Sequence, residues 1–584
     1  MKVILGLFTI ISVTLMSCQK EEINDLIVQD ALIIDAPVID LPITLIKENI
    51  TLDNKLENPY SVTNMRVAYH NIEPIMIEAG IEEDDITTTH YYIKFKPDNE
   101  SELQAIKRRY INCEFYEYPL DYEISGVVSY HDPMLPDSIP TYQYASIDSI
   151  SWNTINVPED VDYEILERLF IPDEDLDIDD VVSVSSMSSN QCDRAMQALV
   201  NESMRLTGNS DEYSEPDDIM GSSNVWYPSG RITAYDDVIG AQIPLEGVKV
   251  RARRWFTTRY AITDADGYYQ FSKGFVRPVN YAIVWDGDGW NIRDGQICQA
   301  YYNGPKQKGP WNLAIPHDNN KSIRYATIHR AVYRYKKGNI YGLTRINGNF
   351  TTNICYAHRS NNSGSYGDYN QEWGLGLFCD IRIFGKSENL EYRTIYEILC
   401  TTFHELGHAA HYTNNIGRYT VSKKVLLESW ASFVGYYLTL KEYGELGKSS
   451  GPFTMKSIIG ANHSMLLYYV PISGIDRQYW TPTINPPDYT PLFIDLYDRD
   501  NQRSVWIYEH PNHSPEGSYQ FINDDVRLIP ANILETFVFN SRKLSQIKTK
   551  LEDFCNANTD AENANYLLST ETINALFEHY EYFD

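Results

Sequence analysis

The run His404-Glu405-Leu406-Gly407-His408, followed by Glu428 in Glu428-Ser429-Trp430-Ala431, constrains this chain more than any other feature, because it ties two helices to one point in space. On an α-helix, residues four apart project on the same side about one turn from each other, so His404 and His408 close on a common centre with Glu405 beside them. Val421 to Glu442 reads as a second helix, apolar at Val425, Leu426, Phe433, Val434, Tyr437 and Leu438 and ended by Gly444. Glu428, Ser432 and Gly435 make a small or polar stripe on it. Packing that stripe on the first helix presents Glu428 to the two imidazoles.

Two imidazoles at i and i+4 are half of a zinc site. Catalytic zinc takes three protein ligands and leaves a fourth position for water, whose pKa falls to about 7 on the metal. With Glu428 as the third ligand, Glu405 is placed to take the proton of that water as it attacks a polarised carbonyl. His411 faces nearly the same side of the helix, but at about 1.5 Å of rise per residue its Cα lies roughly 10 Å from that of His404. Both cannot reach one ion at about 2 Å without a break in the helix. Ala410 and His411 offer no glycine turn to make one.

This pattern resembles the gluzincin branch of zinc metallopeptidases, in which HExxH is followed on a later helix by ExxA or ExxxD. The resemblance implies that His404, His408 and Glu428 hold one Zn2+, that Glu405 is the catalytic base, and that the chain hydrolyses peptide bonds of extracellular proteins or glycoproteins. It also implies a zincin-like α+β catalytic domain with a helical lower half. Where ExxxD members have an aspartate that orients a ligand histidine, this chain has Ser432, a weaker orienter. Oxyanion stabilisation in that branch falls to a downstream His or Tyr, for which His463, Tyr468, Tyr469 and Tyr497 are candidates. The strand Leu377 to Phe384 is either the edge that binds substrate by strand addition or an ordinary interior strand.

The amino terminus suggests a place of work. Met1-Lys2 precedes an apolar run from Val3 to Met16, and Leu15-Met16-Ser17-Cys18 fits a bacterial lipobox, so residues 1–17 read as a signal peptide and Cys18 as the lipidated residue. The run is too short to span a bilayer, which leaves lipid alone as the tether. Gln19-Lys20-Glu21-Glu22 resembles the export signal of surface lipoproteins in Bacteroidota-type bacteria. The expected location is the outer membrane, exposed at the cell surface or facing the periplasm.

With 49 Lys+Arg against 80 Asp+Glu the net charge is −31, which excludes nucleic acid as a natural partner. Besides Cys18 there remain Cys113, Cys192, Cys298, Cys355, Cys379, Cys400 and Cys555, an odd number with no CxxC pair, so cysteine-ligated zinc has no support. Cys355 and Cys379 fall on neighbouring predicted strands, where pairing in an oxidising compartment is open.

The fold class expected is multidomain α+β. Residues 18–60 read as an acidic tether. Residues 61–180 form an N-terminal α+β domain with strands at Tyr91 to Phe95 and Cys113 to Tyr116 around a helix from Glu102 to Arg109. That order resembles the small inhibitory prodomains of secreted peptidases, and a spacer or docking domain has equal weight. Residues 181–224 read as an exposed connector containing a helical stretch from Cys192 to Leu206. Residues 225–300 turn to strands, and Gly230-Arg231-Ile232, Leu245-Glu246-Gly247-Val248-Lys249-Val250 and Thr263-Asp264-Ala265-Asp266-Gly267-Tyr268-Tyr269 resemble the carboxypeptidase regulatory-like, transthyretin-like β-sandwich. Turn chemistry explains Asp264 and Asp266 better than calcium does. Residues 301–584 hold the metal motif, with Leu492 to Ile494 read as a strand and Asp525 to Phe583 as mostly helical.

A second functional reading stands beside the peptidase: a surface binding or adhesion lipoprotein whose metal site is structural or vestigial. The intact Glu405 favours the first, since a structural zinc needs no base and fills its four positions with protein ligands.

Overall fold

The computed structural model describes residues 48–172, 187–209, 225–317, 320–347, 351–359, 367–369, 379–386, 390–448, 492–498, 504–507, 518–521 and 525–580. Cys18, His463, Tyr468 and Tyr469 lie outside them. Helices and several sheets are mixed along the chain, an α+β organisation.

The first part contains β1 (Thr51–Lys55), α1 (Val62–Asn71), β2 (His90–Lys96), β3 (Tyr122–Ser125), β4 (Gln143–Asp148) and β5 (Asp162–Leu169). Strand β1 pairs antiparallel with β3, and β2 lies between β4 and β5. Side chains on β2 alternate between two cores: Ile93 and Phe95 pack with Ile106 and Tyr110, while Tyr92 joins Met65 and Tyr69 on the other face. Cys113 to Tyr116 is not the expected strand. Both edges of β2 are already filled, and only Tyr116 bridges to Tyr144.

The stretch expected to be an exposed connector holds helix α2 (Met187–Leu206), which is instead part of this core. Ala195, Leu199, Val200 and Met204 form a helical stripe buried with Met65, Ala68 and Tyr69 of α1. Serine-rich composition masked that stripe.

Two four-stranded sheets follow. One joins β6 (Ser229–Asp236), β7 (Ala241–Pro244), β10 (Tyr268–Gln270) and β16 (Leu313–Ile315). The other runs β15-β11-β8-β9, with β8 at Lys249–Arg254, β9 at Thr257–Ile262, β11 at Val279–Val284 and β15 at Tyr301–Gln307. Ile232 and Ala234 from the first and Val250, Ala252, Tyr281 and Ile283 from the second share one core. Asp264 Oδ1 accepts from the backbone N–H of Asp266 at 3.0 Å and of Tyr268 at 2.9 Å, so turn chemistry does account for it. Gly267 is required there, because at φ +78° a Cβ would lie 2.4 Å from the Ile232 carbonyl oxygen.

The first part is joined to the second sheet through arginine and tyrosine. Arg251 donates to the Tyr118 hydroxyl at 2.6 Å and its guanidinium lies 4.9 Å from the Tyr116 ring and 5.3 Å from the Tyr301 ring.

The third sheet, order β12-β13-β17-β19-β18, positions the metal motif; β14 (Cys298–Gln299) pairs with β13. Its strands are β12 (Asp286–Gly287), β13 (Trp290–Asp294), β17 (Thr352–Ala357), β18 (Gly367–Tyr369) and β19 (Ile381–Phe384). Strand β17 runs parallel to both β13 and β19, while β18 runs antiparallel to β19. Ile381 to Phe384 is therefore an interior strand. The edge reading is corrected: the chain doubles back after β17, and β18 takes the outer position. Cys355 and Cys379 form a disulfide with a Cα separation of 5.7 Å, linking β17 to the residues entering β19. Leu492 to Ile494 is a turn of helix, not a strand; three consecutive buried apolar residues satisfy either geometry.

Candidate metal centre

Helix α3 (Lys321–Lys336) precedes β17, and α4 (Ile395–Asn414) and α5 (Lys424–Tyr443) follow β19. Helix α4 begins with a capping box in which Thr394 Oγ1 accepts from the Glu397 N–H at 3.2 Å and Glu397 Oε2 accepts from the Thr394 N–H at 2.6 Å. Asp237, just after β6, accepts from the Ile395 N–H at 3.1 Å, so a strand far earlier in the chain helps to fix where α4 starts.

Helices α4 and α5 cross closely, as the small stripe requires. A Cβ on Gly435 would lie 2.9 Å from the Cys400 carbonyl oxygen and 3.4 Å from His404 Cβ, and one on Gly407 would lie 3.1 Å from Val434 Cβ. The α-helical part of α5 ends at Tyr443, but Gly444 keeps right-handed helical geometry and a π-helical turn runs on over Gly444–Lys448 to the left-handed Gly447.

The crossing brings together the residues named from sequence. His404 Nε2 and His408 Nε2 are 3.1 Å apart, and Glu428 Oε2 is 3.3 Å from the first and 3.2 Å from the second. These three atoms mark a nearly equilateral triangle. Tetrahedral ligands bound at about 2.0–2.1 Å stand about 3.3 Å from each other, so the triangle has the dimensions of one face of a zinc coordination shell. Glu405 sits beside it, its carboxylate within 4.8 Å of the histidine ligand atoms. His404, Glu405 and His408 are only 4–6 % exposed.

The electrostatics favour an ionised Glu428 beside an uncharged His404. Burial alone would raise the Glu428 carboxyl, but the charge of His408 and hydrogen bonds from both histidines outweigh it and hold the group well below the usual carboxylate range. Burial pushes His404 below its ordinary value, favouring the neutral imidazole. An ionised carboxylate is the form that binds a cation, and a bound cation would replace the histidine charge that holds Glu428 down here.

A residue that the sequence did not single out completes the centre. Tyr419, 5 % exposed, has its hydroxyl 3.1 Å from His408 Nδ1. Were Nε2 to ligate a metal, Nδ1–H would donate to that hydroxyl, which would fix both tautomer and ring orientation. Ser432 does not do this, since its hydroxyl has no hydrogen-bond partner among the described residues. Tyr419 ends the short helical segment Ile416–Tyr419, held by Asn415 Nδ2 donating to the Phe539 carbonyl at 2.6 Å and Arg418 donating to the Asn540 carbonyl at 3.1 Å. Replacing Tyr419 by Phe is expected to lower zinc affinity about 10- to 100-fold with the fold retained, read by competition with a chromophoric chelator. An unchanged affinity would assign Tyr419 to packing.

His411 is a packing residue, in agreement with the rise argument. Its ring stacks on Phe539 at 4.5 Å with an interplanar angle of 8° and meets Tyr419 edge-on at 5.1 Å. Burial, with a smaller contribution from His408, pushes its pKa down to about 3, so it stays neutral. Of the oxyanion candidates, Tyr497 is the described one, and its ring packs on Phe433 at 5.6 Å and Tyr437 at 5.1 Å. No family model, no curated protein and no solved structure matches this chain.

Proposed function

We propose that this chain is a zinc-dependent peptidase of the gluzincin type, tethered by lipid at Cys18 to the bacterial outer membrane and acting on extracellular polypeptides or glycoproteins. The observation that carries the proposal is the triangle of His404 Nε2, His408 Nε2 and Glu428 Oε2, 3.1–3.3 Å on a side, with the Glu405 carboxylate next to it. Two nitrogens and one carboxylate oxygen are a donor set that suits zinc with an open fourth position.

A zinc ion bound there supplies a Lewis acid for the scissile carbonyl and lowers the pKa of water to about 7. His404, His408 and Glu428 hold it, and Tyr419 keeps His408 in the ligating tautomer. Glu405 accepts the proton of the attacking water and passes it to the leaving amine. On this reading the third sheet with α3, α4 and α5 forms the zincin-like domain and the pair of four-stranded sheets the transthyretin-like module, the two interleaving about residue 300, with β12 to β14 in the third sheet and β15 and β16 in the pair.

The test is digestion of a proteome-derived peptide library by purified protein, with zinc measured by mass spectrometry. One zinc per chain, cleavage abolished by a chelator and cleavage restored by added zinc are expected. Protein that binds no zinc, or that leaves the library untouched with zinc bound, would overturn the proposal and favour the adhesion reading.

A further inference from the structure

We propose that the open edge of β5 takes an extended peptide in which basic and apolar residues alternate, adding a further strand to the sheet β4-β2-β5. This edge lies in the first part of the chain, and the proposal stands apart from the metal centre.

The rows of the sheet show where it stops short. Ala145 of β4, Ile93 of β2 and Ile165 of β5 stand side by side in register, and their exposure runs 0 %, 0 % and 44 %. In the neighbouring row on the same face Phe95 is 0 % exposed and its partner Tyr163 is 47 % exposed. Ile93 and Phe95 belong to the core closed by Ile106, Tyr110 and Val161, and Trp152, packed against that core, meets the Tyr163 ring edge-on at 5.2 Å. An apolar layer thus runs in register across the sheet and is cut off at β5, half in solvent. Among the described residues no strand pairs with the outer side of β5, where alternate N–H and C=O groups face outward. Edge strands are commonly blunted by shortness, lysine, proline or a bulge. Strand β5 is 8 residues long and has neither lysine nor proline. It does carry a bulge between Ile165 and Glu167, which leaves Asp162 to Ile165 as the regular stretch open to a further strand.

Charge selects the partner. Side chains alternate along a strand, so Tyr163 and Ile165 lie on the face of the apolar layer and Asp162 and Glu164 on the other. Both carboxylates are exposed, as are Glu159 and Asp160 just before them. Lys96, 3.2 Å from Glu164, is the one cation that pairs with any of these four among the described residues. A strand that sets apolar side chains beside Tyr163 and Ile165 turns its alternate ones toward Asp162 and Glu164, where Lys or Arg is favoured and a like charge is opposed. A second copy of β5 would bring acid against acid on that face, which leaves a basic partner.

Fluorescence anisotropy of the intact chain with a short labelled peptide of alternating lysine and valine tests the proposal. A Kd of about 10–100 μM is expected at low salt, the same with and without a chelator. The peptide N-methylated at alternate residues keeps its charge and apolar groups but loses backbone donors, and it should bind at least about tenfold more weakly, as should oligolysine of the same length. The double variant Asp162→Lys/Glu164→Lys should weaken binding at least about tenfold with the urea midpoint and zinc content unchanged. Should that variant fail to fold, the comparison of plain and N-methylated peptide on the unaltered chain decides. Equal binding of the N-methylated peptide or of oligolysine, an unchanged affinity in the folded variant, or loss of binding on adding chelator overturns the proposal.

Discussion

Glu405→Gln is expected to lower kcat/KM for a library-derived peptide by about 100- to 10,000-fold while zinc remains at one per chain. Glutamine matches glutamate in size and keeps hydrogen-bonding capacity, so a side chain that is 4 % exposed is replaced without a cavity or a buried charge. It is not a base at neutral pH. The three ligand atoms do not include the Glu405 carboxylate, so metal binding survives if the triangle is the true ligand set. His404→Ala behaves differently, because it removes a corner of the triangle and should lose both metal and activity. The contrast separates a proton-transfer role from a ligand role for Glu405. Loss of zinc in Glu405→Gln would place that carboxylate in the coordination shell; unchanged turnover would remove it from the chemistry.

Local periodicity made the centre legible. His404 and His408 are set by helical spacing alone, and the stripe of Glu428, Ser432 and Gly435 announced a close helix crossing that Gly435 makes against Cys400 and His404. Strands β6, β8 and β10 of the two four-stranded sheets were legible for the same reason, as was the turn at Asp264, whereas β7, β15 and β16 were not, the last two lying past residue 300. What sequence did not reveal depends on partners far along the chain. Tyr419 reaches His408 because the loop after Phe539 holds the preceding turn, a separation of 120 residues or more. Trp290–Asp294 looks like one more strand of the preceding block, yet it pairs in parallel with Thr352–Ala357. The register of that pair is fixed by tertiary packing and leaves no mark in local pattern. Helix α2 was misread as exposed because its buried stripe is spaced among serines and polar residues, with its packing partner α1 more than 100 residues earlier.

Asp236→Ala is expected to destabilise the fold by about 3–5 kcal/mol, read as a lower midpoint in urea denaturation. Asp236 is fully buried at the end of β6. One carboxylate oxygen accepts from Arg330 Nη1 of α3 at 2.8 Å and from the Tyr443 hydroxyl of α5 at 3.0 Å; the other accepts from the backbone N–H of Val238 at 2.9 Å and Ile239 at 3.0 Å. Alanine would leave two backbone donors and much of a buried guanidinium unsatisfied and would remove the acceptor of the Tyr443 hydroxyl. Arg330 keeps a contact with Glu442 at 3.2 Å, which places the loss toward the lower end of that range. The same carboxylate ties the strand-rich part of the chain to both helices that flank α4. Loosening it should therefore weaken zinc binding without touching a ligand. Replacing Asp236 by Leu together with Arg330 by Met removes the charge and its partner at once, and this double variant is expected to recover part of the loss. If Asp236→Ala cost under about 1 kcal/mol, the network would be a surface-like ion pair in energetic terms, and the rigidity of the α3–α4–α5 assembly would have to come from apolar packing alone.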